Sequence, residues 1–241
     1  MRQLFWFRLR PVIRRITFRS ASAALAIALA FTCFSSAAQA GVIGPILPYF
    51  GLSDSPFNGL PFSYFHLETF EEGALTAPGV TASTGIVVGP GSLVDSVEGS
   101  GSGGHSFFSG SGAAGITFTF DAAVLGHLPT HAGLVWTDGD GPNRTFKAFD
   151  AGNALIGTII DSTQKFFSTG GDNDPANYRF FGVTNPAGIS SIFMANDGGG
   201  IEIDDLQFGF LGVPEPGTLI LFGAGLLVTG ALRFRRPTLK S

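Results

Sequence analysis

Between Gly41 and Gly212 no stretch of the chain keeps a helical hydrophobic period, and that constrains the fold more than any single motif. Short apolar or alternating runs recur between turn residues: Phe62–Phe70, Gly85–Val88, Ser106–Phe108, Ile116–Phe120, Gly133–Trp136, Phe146–Phe149, Leu155–Ile160, Tyr178–Val183, Ser190–Met194 and Ile201–Phe210. Ile116-Thr117-Phe118-Thr119-Phe120 alternates with period two, and Ile201-Glu202-Ile203-Asp204 begins the same way. That is the pattern of a strand with one buried face. About ten short strands with turn residues every 8–12 positions predict an all-β chain folded as a single β-sandwich. The sandwich is assigned to residues 61–212. Residues 41–60, rich in Gly and Pro, read as a lead-in, and Gly99–Gly112 as a flexible loop or hairpin tip.

Composition supports a phenylalanine-built core. Eighteen of the 25 Phe lie between residues 41 and 212, with one Trp (Trp136) and three Tyr. Phenylalanine has no polar handle, so most of these rings should face inward. Trp136, inside Leu134-Val135-Trp136, reads as core. The whole-chain charge of −4 hides an asymmetry: six of the 14 basic residues precede Ala21 and four follow Leu232. The central region keeps Arg144, Lys147, Lys165 and Arg179 against seventeen acids, a charge of −13. Such a surface repels phosphate backbones and excludes nucleic acid as a partner.

The two ends read as addresses. Arg2, Arg8, Arg10, Arg14, Arg15 and Arg19 precede an apolar run from Ala21 to Phe34, and Ala38-Gln39-Ala40 supplies small residues for signal peptidase. Residues 1–40 are therefore expected to be a signal peptide cut after Ala40. Removing Cys33 with it leaves no cysteine, hence no disulfide. At the other end, Val213-Pro214-Glu215-Pro216 forms a stiff extended strip. Sixteen uncharged residues, 217–232, follow as an expected hydrophobic membrane helix, and Arg233, Arg235 and Arg236 form a basic stop on the cytoplasmic side. At about 1.5 Å per residue this span is short for a hydrocarbon core of about 30 Å. A short span carrying Gly223, Gly225 and Gly230 suits a segment handed to a processing enzyme.

This tail, residues 213–241, resembles the PEP-CTERM sorting signal, which in that family is recognised and cut by a membrane exosortase. The resemblance implies a bacterial protein exported across the inner membrane, anchored transiently, and delivered to the cell envelope, surface or surroundings. Its implied partners are signal peptidase and an exosortase-type enzyme.

Catalytic patterns are weak throughout. Gly110-Ser111-Gly112-Ala113-Ala114-Gly115 matches G-x-G-x-x-G, but an alternating strand follows where a dinucleotide site needs a helix. His66, His105, His127 and His131 are too scattered for a zinc triplet, and no Ser occupies a G-x-S-x-G elbow. No catalytic residue is assigned, and the chain is read as a non-enzyme. Asp138-Gly139-Asp140-Gly141-Pro142-Asn143 and Asp172-Asn173-Asp174 read as β-turns.

Phe70-Glu71-Glu72-Gly73 opens the domain, and Ile203-Asp204-Asp205-Leu206 closes it. This pairing resembles the jelly-roll domains of the galactose-binding and carbohydrate-binding-module type. There, a glutamate of an early turn and an aspartate of the last strand often share a structural Ca²⁺. The resemblance implies a jelly-roll-like sandwich, a Ca²⁺ held by Glu71, Glu72, Asp204 and Asp205, and an exopolysaccharide partner. Asp205 is favoured over Asp204 if Ile203 and Asp205 share a face. The function expected is that of an exported, non-catalytic envelope or matrix protein. The alternatives are a carbohydrate-binding module and a glycan hydrolase using paired acids.

Overall fold

A computed structural model describes residues 39–92, 94–100, 103–163, 175–212 and 225. The expected signal peptide up to Ala38, Asp172-Asn173-Asp174, Val213-Pro214-Glu215-Pro216 and the expected basic stop of Arg233, Arg235 and Arg236 lie outside the described residues, as does the expected 217–232 span apart from Gly225. Among the described residues no helix is long and apolar enough to cross a membrane.

Ten strands run in chain order: β1 (Gly41–Ile46), β2 (Phe62–Glu68), β3 (Val80–Ala82), β4 (Ile86–Val88), β5 (Ser106–Ser109), β6 (Ile116–Phe120), β7 (His131–Asp150), β8 (Leu155–Asp161), β9 (Arg179–Thr184) and β10 (Ile189–Leu211). Among the described residues a short helix, α1 (Ala122–Leu125), starts at Asp121, whose carboxylate accepts a 2.8 Å bond from the Ala123 amide. All strand pairs are antiparallel.

Two of these strands, β7 and β10, are long enough to serve both layers. Their C-terminal and N-terminal halves respectively pair through Phe146↔Met194 and carry β8 and then β6 with β3 at the flanks. Their other halves pair through Ala132↔Phe208 and carry β9 with β1 on one side and β2 on the other. β5 and β4 attach at Ile201–Ile203, where β10 passes from one layer to the other.

Sequence punctuation suggested four strands here because each long strand bends at glycine. Pairing shifts register around Asn196, Gly198 and Ile201, opposite Gly139 to Arg144. Gly141 and Gly199 have positive φ (96° and 57°), conformations that side chains resist. Asp138–Asn143 is thus a bulged bend inside β7, and the expected β-turn is corrected: Gly and Asn there curve a strand without ending it.

The layers meet through aromatic rings. Phe120 of β6 packs on Phe208 of β10 with centroids 5.2 Å apart, Phe146 of β7 on Phe181 of β9 at 6.0 Å, and Phe107 on Phe118 at 5.4 Å. Trp136, Ile192, Met194 and Ile203 complete this core with no solvent exposure. Trp136 is accordingly a core residue. Arg144 lies 4.8 Å above its ring, and Arg144 and Arg179 both pair with the buried Asp161.

The expected lead-in is woven into the sandwich. β1 pairs with β9 from Gly41↔Thr184, and residues 47–60 fold over the outer face of the β7–β9 layer. Tyr49 and Phe57 there cover Val135, Tyr178 and Phe180. β9 is therefore buried on both faces and reads as a near-continuous apolar run. The 49–57 segment also reaches the acids at the end of β10.

A buried carboxylate cluster at the end of the last strand

Strand β10 loses its register between Asp204 and Gln207, a β-bulge in which Asp205 has φ 45°. A left-handed aspartate inside a strand is uncommon, and the bulge cancels the strict alternation that separates neighbouring side chains. β10 is buried continuously from Ile201 to Gly209, and Asp204 and Asp205 lie within that stretch with no exposure. They meet Glu98 from the β4–β5 connection, and one carboxylate oxygen from each of the three lies within 4.8 Å of the other two.

The surroundings fix most of these oxygens. Asp204 accepts from the Val97 amide through Oδ2 (2.7 Å) and from the Asp205 amide through Oδ1 (2.8 Å). Asp205 Oδ2 accepts from the Tyr49 hydroxyl at 2.8 Å, and Gln207 Nε2 donates to the same hydroxyl at 2.7 Å. Ser55 Oγ donates to Gln207 Oε1 at 2.6 Å, which closes a relay from the 49–55 segment to β10. Asp205 Oδ1 and Glu98 Oε2 are buried and accept from no amide or hydroxyl, and the Glu98 carboxyl, when protonated, hydrogen-bonds the Asp205 carboxylate.

Electrostatics follow from burial. No Lys or Arg among the described residues forms an ion pair with Glu98, Asp204 or Asp205; the buried arginines are spent on Asp161. Desolvation, then the Asp205 charge, pushes the Glu98 carboxyl up to about 7. Desolvation also lifts Asp205 to about 6, and Asp204 rises well above the ordinary carboxylate range for the same reason, reinforced by its two acidic neighbours. Burial, with the adjoining Asp205 charge, drives the Tyr49 hydroxyl up as well, which keeps it a proton donor.

A second acidic trio adjoins the first: Asp95, Asp138 and Glu202. The Glu202 Oε1 atom accepts from the Asp95 amide at 2.9 Å and from Ser106 Oγ. Asp138 and Glu202 line a depression of about 150 Å³ beside Phe108. Ligand pockets are usually about 300–1,000 Å³, so this one is small for a sugar ring between two carboxylates.

Of the four residues singled out in the sequence, Asp204 and Asp205 come together. Glu71 accepts from the His105 amide at 2.6 Å and lies 3.3 Å from its Nδ1, near enough to Glu98 for its charge to help raise that carboxyl. Glu72 is exposed in the same turn. That turn is held by Glu68, which accepts from Phe70 and Thr76 amides at 3.1 and 2.7 Å. Glu98 was not singled out, because a lone glutamate beside a Gly/Ser-rich stretch carries no pattern. The four histidines stay dispersed: His66 lies 4.0 Å from Glu68, His127 packs at a tilt against Phe210, and His131 packs against Phe57 and Phe62. Gly110–Gly115 leads into strand β6 and not into a helix.

Beyond Leu211 the sequence decides what the fold cannot. Residues 212–236 match the PEP-CTERM protein-sorting motif. The chain carries a PEP-CTERM sorting signal. It is thereby an exported, exosortase-sorted protein with a cell-surface or secreted destination. No curated protein matches the sequence. Among solved structures, the K2 cleaved adhesin domain of Lys-gingipain is similar at 17% identity, covering 61% of this chain and 99% of that domain, with a TM-score of 0.40. The K1 cleaved adhesin domain of Lys-gingipain from Porphyromonas gingivalis W83 is similar at 14% identity, covering 62% and 100%, with a TM-score of 0.40. The CBM22-1 xylan-binding domain of Paenibacillus barcinonensis Xyn10C is similar at 15% identity, covering 61% and 93%, with a TM-score of 0.35.

Proposed function

We propose that this protein is a non-catalytic β-sandwich exported by a bacterium and released by an exosortase-type enzyme into the cell envelope or extracellular matrix. The observation that carries the reading is the placement of the fold between its two address segments. Strand β1 starts at Gly41, the residue signal peptidase would leave first, and β10 ends at Leu211, next to the sorting motif at 212–236. Cutting at either border therefore removes no strand. A transient hold by residues 217–232 would keep the sandwich outside the inner membrane until the tail is cut.

The non-catalytic part of the reading rests on where the acids sit. The acids of the two trios are buried or half-buried, and backbone amides and hydroxyls take several of their oxygens. Fractionating cells that produce the full chain or a chain ending at Gly212 tests the proposal. The full chain should be recovered with the envelope or outside the cell, and the truncated one should lose envelope association. Identical cytoplasmic recovery of both would refute it.

Polysaccharide binding is the second reading, and one surface favours it. A shallow groove of about 300 Å³ on the outer face of the β7–β10 layer is lined by Thr145, Lys147, Phe193, Asn196 and Asp197. It offers an aromatic ring with amide, hydroxyl and charged groups around it, the kind of surface on which a sugar ring stacks. Lys147 lies 5.5 Å over the Phe193 ring and would have to move aside. Retention on an exopolysaccharide column that Phe193→Ala abolishes would support this reading. Equal elution of both proteins in the void volume would dismiss it.

A further inference from the structure

We infer that the end of the sandwich from which both address segments leave lies on the outer face of the inner membrane until the tail is cut, with Leu60, Val124 and Leu155 turned to the lipid. This placement rests on the sorting reading and adds to it the surface that meets the bilayer.

Strand pairing puts the two exits side by side. Gly41 is opposite Thr184, Thr184 opposite His131, and His131 opposite Gly209, one row across four strands. Just past that row Leu211 pairs with Phe62, and the Gly212 amide donates to the Pro61 carbonyl at 3.2 Å. From Gly212 to Gly217, the first residue of the apolar stretch, the chain reaches at most about 18 Å when fully extended. The headgroup layer takes about 5–7 Å of that reach. What remains is shorter than β2 alone, about 23 Å for its seven residues, so the exit end stays at the surface whichever way the domain leans.

Side chains decide how it leans. Seven large apolar side chains are exposed among the described residues, and three of them stand at this end. Leu60 directly precedes Pro61. Val124 belongs to α1, whose outgoing chain is held there by His127 against Phe210 and by the Thr130 amide, which donates to the Gly209 carbonyl at 2.9 Å. Leu155 follows the turn at Asp150, which pairs with Ile189, and the Ile189 amide donates to the Pro129 carbonyl at 2.8 Å. The acids of these two connections, Asp121 and Asp150, already accept backbone amides at 2.8 Å. The two acidic trios lie toward the other end: the β7 run from His131 to Asp138 covers about 23 Å. Apolar groups gain by leaving water and charged ones lose, so this end is the one that lipid favours. Three side chains make a weak contact by themselves. The tether raises their effective concentration at the surface, and cutting the tail lets the sandwich go.

The test uses the full chain with Cys33→Ser, reconstituted in vesicles of phosphatidylcholine and phosphatidylethanolamine that carry nitroxide-labelled lipid. A fluorophore is attached at Val124→Cys, at Leu155→Cys or, beyond the far end of β2, at Glu72→Cys. Emission should be quenched at Val124 and Leu155 and unchanged at Glu72. Replacing Leu60→Asp and Val124→Asp together should restore most of the emission at Leu155. All four positions are exposed, so the fold tolerates these changes. Equal quenching at the three labelled positions, or quenching at none of them in a chain that floats with the vesicles, overturns the placement and leaves the sorting reading standing. Undiminished quenching at Leu155 in the doubly charged variant overturns the lipid contact. A chain that does not float refutes the membrane hold and the placement together.

Discussion

Tyr49 donates a 2.8 Å hydrogen bond to the Asp205 carboxylate, joining positions 156 residues apart. It makes a Gly/Pro-rich segment, which reads in sequence as a lead-in, part of the folded unit, and it sets one of the three acids of the cluster in place.

Removing that donor should be felt by the whole flap. Tyr49→Phe keeps the ring stacked on Phe180 but leaves Asp205 Oδ2 and Gln207 Nε2 without their shared hydroxyl. The expected loss is about 1–3 kcal/mol by denaturant unfolding in chelator. A change within measurement error would show that the relay contributes nothing.

Acid stability should depend on Asp161. Burial alone would raise its carboxyl, but the Thr163 hydroxyl and amide, together with Arg179 and Arg144, outweigh that and hold it below the ordinary value. A depressed folded-state value means the stabilisation is present above the unfolded pKa of about 3.9 and is lost as pH falls through the folded one. Asp161→Asn should cost about 3–5 kcal/mol at neutral pH, because two buried arginines lose their counter-ion. It should also flatten the dependence below pH 4. Parallel acid denaturation curves for both proteins would contradict this.

Packing between β7 and β9 leaves no room at Gly133. A Cβ there would lie 2.8 Å from the Phe181 carbonyl oxygen and would run into the Phe180 ring. Backbone cannot move aside as a side chain can. Gly133→Ala should therefore destabilise by about 1–3 kcal/mol in chemical unfolding.

Trp136 reports on the core and not on a ligand. It is fully buried, and in a chain beginning at Gly41 it would be the sole tryptophan. Its emission should be blue-shifted and protected from acrylamide, and no glycan should move it. A shift on adding polysaccharide would place a binding surface where the structure shows core.

Much of this fold was legible because burial writes a period into sequence. Ile116–Phe120 alternates because β6 has one face on the core, and it appears as a strand with those bounds. The failures have physical causes. β1 was hidden because Gly44 and Pro45 sit inside it, residues that ordinarily interrupt strands. β3 was missed because three residues carry no period. β7 and β10 were each read as two because a glycine-rich bend looks like a turn when the partner strand bending with it is unknown. At the site, alternation favoured Asp205 over Asp204. The bulge defeats that rule, and because β10 is buried on both faces from Ile201 to Gly209 both acids lie inside. Glu98 was invisible because its partners lie more than a hundred positions away.

The central claim is that the sandwich is cargo lying between two disposable segments. Intact mass spectrometry of the protein recovered from the envelope and the medium tests it most directly. The account predicts a chain beginning at Gly41 and ending within the tail before Arg233, with all of β1 and β10 retained. A recovered chain that still carries both residues 1–40 and the 217–232 segment would contradict it.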